Sequence, residues 1–149
     1  FWTSDDECYA IQTIYKSYQP DNDSDLFEYA LDQTDYANID DRSHLIIDSL
    51  SKRQLMYLPI ATKKRLIEEL EAGWTSGDET DALKKIYASY QPAMDSDLFE
   101  YALDKTDYAN VDDRALDIVN SLSNDQIRKM PGYIKKRLID ELEAGNSYR

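Results

Sequence analysis

The chain has 149 residues, with 30 acidic against 17 basic side chains, a formal net charge of −13, 42% hydrophobic residues and one cysteine. That charge repels phosphate backbones and excludes ordinary nucleic-acid binding, whose affinity comes largely from Lys and Arg neutralising phosphates. The lone Cys8 excludes an intrachain disulfide and leaves the compartment open, and no apolar run approaches the roughly 20 residues that span a bilayer.

Residues 2–73 return as residues 74–145 at a constant offset of 72, with 46 identities in the 72 pairs. Trp2-Thr3-Ser4 returns as Trp74-Thr75-Ser76, the run from Asp23 to Asp32 returns unchanged from Asp95 to Asp104, and Lys63-Lys64-Arg65 returns as Lys135-Lys136-Arg137. Such duplication marks a repeat architecture, in which neighbouring units stack and bury what one unit alone cannot. The expected organisation is an all-α protein of two stacked tandem five-helix units, residues 1–73 and 74–149, sharing an interface. Both halves are acidic: 15 acids against 7 bases in residues 1–72 (net −8), and 15 against 10 in residues 73–149 (net −5). Phe1 stands at the position equivalent to Gly73 and is not Met, so further units are expected in a longer parent protein.

Four Gly and four Pro leave little punctuation, and the apolar residues recur at helical spacing. In chain order through the second copy, Ser76-Gly77-Asp78-Glu79 fits a capping box opening a first helix that runs to about Tyr90. Gln91-Pro92 ends it, because proline disfavours the helical conformation in the residue before it. Ser96 is the expected N-cap of a short second helix from Asp97 to about Lys105, with Leu98, Phe99, Ala102 and Leu103 inward. Asn110 caps a third, with its stripe at Val111, Ala115, Ile118, Val119 and Leu122. Ser123 to Gln126 is a second capping box, opening a brief fourth helix that stops at Pro131. A fifth helix from about Tyr133 carries Leu138, Ile139 and Leu142 and closes at Gly145 as a C′ glycine. The first copy repeats this plan and ends at Gly73.

Much of the acidity falls in first turns, at Asp5-Asp6-Glu7, Asp40-Asp41, Asp78-Glu79 and Asp112-Asp113, where it complements the helix dipole. Lys63-Lys64-Arg65 and Lys135-Lys136-Arg137 sit toward the wrong end of the fifth helix for that dipole. They require acidic groups from a neighbouring helix or unit.

No catalytic constellation stands out, and a non-enzymatic protein is expected. His44, the only histidine, is Leu116 in the second copy, and Cys8 is Thr80 and has no basic neighbour in sequence to activate it. Asp21-Asn22-Asp23-Ser24-Asp25 followed by Asp32 imitates a calcium loop, but Leu26 stands where the turn requires Gly and Ala93 replaces Asp21. Thr34-Asp35-Tyr36-Ala37-Asn38 returns as Thr106-Asp107-Tyr108-Ala109-Asn110; a loop this similar in both copies marks Asp35, Tyr36, Asp107 and Tyr108 as candidate binding residues, against the alternative that they cap helices. The other tyrosines are mainly expected in the core. Trp2 and Trp74 stand where one unit's last helix meets the next unit's first, either packing that hinge or acting as exposed anchors.

The segment Leu66-Ile67-Glu68-Glu69-Leu70-Glu71-Ala72-Gly73-Trp74-Thr75-Ser76-Gly77-Asp78-Glu79, followed by Ala82-Leu83-Lys84-Lys85-Ile86, resembles the annexin pattern of helix, glycine-containing loop ending in Asp-Glu, and helix. The resemblance implies a five-helix repeat, and it implies calcium held by loop carbonyls and a later acidic side chain, bridging to anionic membranes. Carried over, the ligands are Trp74, Ser76, Gly77 and one of Asp112 or Asp113. The first copy lacks the loop glycine, so any such site belongs to the second.

These residues point to a helical-repeat interaction or scaffold module that binds a protein partner through an acidic surface, with no cofactor. Its two rivals are an annexin-like calcium-dependent membrane module and an acidic inhibitor that mimics nucleic acid.

Overall fold

Among the described residues, the helical spacing of the apolar side chains becomes ten helices and no strand. The structure, a computed structural model, describes residues 5–32, 42–72, 77–104 and 114–147. In the first copy, α1 spans Asp5–Lys16, α2 Leu26–Asp32, α3 Arg42–Ser49, α4 Lys52–Met56 and α5 Ile60–Ala72. In the second, α6 spans Gly77–Ala88, α7 Leu98–Leu103, α8 Arg114–Ser121, α9 Asn124–Lys129 and α10 Gly132–Ser147. Pairings match across the offset: α3 packs on α1, α2 and α5, and α8 packs on α6, α7 and α10. Between the copies, α5 lies on α6 and α7, while α3 and α4 also touch α6.

Several helix ends depart from expectation for local reasons. The first helix of the second copy ends at Ala88 because its hydrogen bonds tighten: Ser89 N reaches both Lys85 O and Ile86 O, and Tyr90 N reaches Tyr87 O, two residues before Pro92. Ser96 does not cap α7. The cap residue is Asp97, which makes no side-chain capping bond: its backbone, at φ −111° and ψ 15°, is outside the extended region that capping uses, and its Oδ2 accepts from Lys64. α10 does not close at Gly145 but continues to Ser147. A glycine inside a helix costs only about 1 kcal/mol relative to alanine, and no proline follows to force a stop.

Each copy centres on one phenylalanine between two tyrosines from the preceding helix and its end. Phe27 lies 5.5 Å from Tyr15 and 4.8 Å from Tyr18, and Phe99 lies 6.0 Å from Tyr87 and 4.5 Å from Tyr90, ring centre to ring centre. All six are buried. Tilted and edge-on pairs of this kind add to the burial of the rings. Burial also pushes the Tyr15, Tyr18 and Tyr90 hydroxyls above the ordinary tyrosine pKa, with Arg42 opposing the shift at Tyr15. The tyrosines are not uniformly core, however: Tyr9, Tyr29, Tyr57 and Tyr133 are exposed.

The capping box at Ser123 forms as the sequence implies, and its glutamine has a second role. Gln126 Oε1 accepts the Ser123 amide at 2.7 Å, while Gln126 Nε2 donates to Ala88 O at 2.9 Å and Tyr90 O at 2.8 Å. Gln54 does the same in the first copy, accepting from Ser51 N and donating to Lys16 O and Tyr18 O. A six-residue helix cannot stand alone, so this clip ties it to the frayed end of α6. Gln126→Glu keeps the capping acceptor and removes both donations. It is expected to cost about 1–3 kcal/mol, the range for stranding buried polar groups. Urea unfolding checks this, and an unchanged midpoint would show that Gln126 acts as a cap alone.

Candidate functional site

Three consecutive cations on one helix point in three directions, because successive residues turn by about 100° at 3.6 residues per turn. On α5, Lys63 faces the second copy, Lys64 reaches the start of α7, and Arg65 turns back to α2. Lys64 Nζ meets Asp97 Oδ2 at 2.8 Å and lies 5.3 Å from the centre of the Tyr101 ring, and Arg65 meets Asp32 Oδ1 at 2.8 Å. The acids that the misplaced cations require are thus supplied by a neighbouring helix of the same copy and by the adjoining copy. Arg137 repeats the Arg65 contact on Asp104 at 2.9 Å.

Lys63 is the central residue of the joint. Its side chain and that of Asp95 are both 0% exposed, with Nζ 2.6 Å from Asp95 Oδ2. The ammonium also donates to Ser89 O at 3.1 Å and Met56 O at 3.2 Å, so its three protons have three acceptors. Asp95 Oδ2 accepts a further bond from Gln91 N at 2.8 Å and so closes the turn from Gln91 to Asp95, while Gln91 Nε2 donates to Met56 O at 2.6 Å. Burial lowers the Lys63 pKa from its ordinary value, and the bond and charge of Asp95 pull it back up. Around this polar centre, Ile67, Leu70, Leu83, Ile86 and Leu98 are buried on the helices that meet there.

Beside the joint, α4, α9 and the turn after α6 enclose an open groove of about 490 Å3. Met56, Tyr90 and Pro92 line it together with Lys52, Lys129 and Asp125. Its wall includes Gln91 and Gln126, the two glutamines that hold this turn.

Trp2, Asp35, Tyr36, Trp74, Asp107 and Tyr108 lie outside the described residues, as do Ser76, Asp112 and Asp113 of the implied calcium set; Gly77 is the first residue of α6. Among the described residues, no three His, Cys, Asp or Glu side chains form a metal-binding group, and no helix is long and apolar enough to cross a membrane. His44 sits half-buried on α3 with Nε2 2.8 Å from Asp48. Asp23, part of the imitation calcium loop, accepts the Gln19 amide at 3.0 Å and closes its turn as Asp95 does.

Sequence reasoning did not pair Lys63 with Asp95. The available signals were a cation run placed against its helix dipole and the pattern Gln-Pro-x-x-Asp, present at Gln19 and again at Gln91. Comparison of the chain with protein-family models, with curated proteins and with solved structures gave no match in any of the three.

Proposed function

We propose that residues 1–73 and 74–149 are two tandem five-helix repeat units, stacked through the Lys63–Asp95 joint. Together they serve as a non-enzymatic scaffold that binds a protein partner through its acidic surface. The observation that carries this reading is the use made of the chain's most elaborate polar site: a buried lysine whose three protons go to Met56 O of its own copy and to Ser89 O and Asp95 of the neighbouring copy has no proton or charge left for a substrate. The constant offset, the matched helix pairings and the doubled aromatic and glutamine contacts support the division into units. The net charge of −13 supports a basic partner.

The test measures binding of the chain to a cationic polypeptide across a salt series, alongside sedimentation with phosphatidylserine vesicles with and without calcium. Binding that weakens steeply with salt is expected, because screening acts on exposed charges. No binding at any salt would refute the acidic-surface reading. Calcium-dependent sedimentation would move the assignment to the annexin-like membrane module.

A further inference from the structure

The joint inside the chain has two halves, and each half has a second edition facing outward. The donor half lies on α5, and its counterpart on α10 carries Lys135, Lys136 and Ile139 where α5 carries Lys63, Lys64 and Ile67. The acceptor half lies on α6, α7 and the turn between them. Its counterpart on α1, α2 and their turn carries Ile14, Gln19, Asp23, Asp25 and Tyr29 where the second copy has Ile86, Gln91, Asp95, Asp97 and Tyr101. Each of these eight pairs is an identity.

Burial separates the inner edition from the outer ones. Ile67 and Ile86 are 0% exposed inside the joint, whereas Ile139 is 53% and Ile14 is 55% exposed. Lys63 is fully buried, whereas Lys135 is only partly so. Local geometry is nevertheless already in place on both outer faces. Lys135 Nζ donates to Arg128 O at 3.1 Å, as Lys63 does to Met56 O, and Asp23 accepts from Gln19 N as Asp95 does from Gln91 N. A basic, apolar face thus stands at one end of the chain, and the acidic, apolar face that it matches stands at the other.

We propose that a second copy of this chain docks its α1–α2 face onto the α10 face of the first, rebuilding the internal joint between molecules with Lys135 bonded to Asp23 and Lys136 to Asp25. This inference rests on the stacked-repeat reading. The contact is heterologous, so it extends head to tail and leaves one face of each kind free at the ends of the assembly. It is weaker than the internal joint in one respect: the Lys85–Asp48 ion pair, 3.4 Å inside the chain, has Thr13 and Asn120 at the equivalent positions.

Sedimentation velocity on the full chain tests this across a wide concentration range. The wild type is expected to shift to faster-sedimenting species as concentration rises. Lys135→Glu and Asp23→Lys, both at solvent-accessible positions, are each expected to hold the chain monomeric, while an equal mixture of the two variants associates again through the intact Lys135 of one and Asp23 of the other. A wild type that stays monomeric throughout, or single variants that associate as the wild type does, would overturn the proposal. If Asp95→Ala destabilises the monomer in that case, the stacked-repeat reading stands and only the intermolecular joint falls. If it does not, both fall.

Discussion

Asp95→Ala is expected to destabilise the folded chain by about 3–5 kcal/mol, because it leaves the buried Lys63 ammonium without its counter-charge. The same change at Asp23, its counterpart in the first copy, removes one bond to the Gln19 amide from a half-buried carboxylate. Its cost should be about 1 kcal/mol, that of a typical capping bond. Two aspartates that share the pattern Gln-Pro-x-x-Asp-Ser-Asp would then differ by several-fold in effect, chiefly through what stands opposite them. The double variant Lys63→Met with Asp95→Leu is expected to recover much of the loss, since apolar residues of similar volume often replace a buried ion pair at little cost. Equilibrium urea unfolding of the four proteins checks the set. Equal effects at Asp23 and Asp95 would show that Lys63 is not held as described.

Phe99→Ala should be comparably severe, at about 3–5 kcal/mol, the range for truncating a buried aromatic. Phe99 is 1% exposed and packs on Tyr87 and Tyr90, and Tyr90 in turn offers its carbonyl to Gln126. The cavity therefore opens beneath the end of α6, beside the turn that receives Lys63. Against a typical total stability of about 5–15 kcal/mol, such a loss threatens the whole fold. Phe27→Ala opens the matching cavity on the outer side, away from the internal joint, and should cost a similar amount. The two variants are expected to differ in cooperativity when followed by circular dichroism. Phe99→Ala should unfold in one transition, because it damages the joint as well as the core, and a broadened transition is expected for Phe27→Ala. The reverse pattern would place the coupling between copies elsewhere.

The two levels of this structure were unequally legible in the sequence. Local chemistry was readable: Ser123 and Gln126 announce a capping box, and the box is there, because its partners are three residues apart. The stripes at Leu98, Phe99, Ala102 and Leu103 and at Ala115 and Ile118 announce buried faces, because helical spacing alone decides them. Some of what escaped is local, as in the tightened end of α6 and the run of α10 past Gly145, and the rest depends on contacts between residues distant in sequence. Asp97 meets Lys64, 33 positions earlier, through Oδ2, a pairing that nothing near either residue in sequence announces. Gln126 looks like a cap and also clips α6, since its amide is long enough to serve two directions at once. The lysine run carried the one long-range clue, a cation cluster with no local reason for its position. The candidate residues chosen for loop similarity, Tyr36 and Tyr108 with their neighbouring aspartates, lie outside the described residues.

The Met56 carbonyl accepts bonds from Lys63 on its own side of the joint and from Gln91 on the other. Met56 ends α4, a helix of five residues with too few internal bonds to persist by itself. The order of α4 is therefore conditional on its surroundings, and the joint acts as a latch whose state is written into backbone amides that carry no charge. The Gln54 clip to Lys16 O and Tyr18 O holds the helix within its own copy, while the Met56 carbonyl is shared by the two halves, so the last turn of α4 reports on the contact between them. In its opposite number α9, the equivalent Arg128 carbonyl accepts the bond from Lys135.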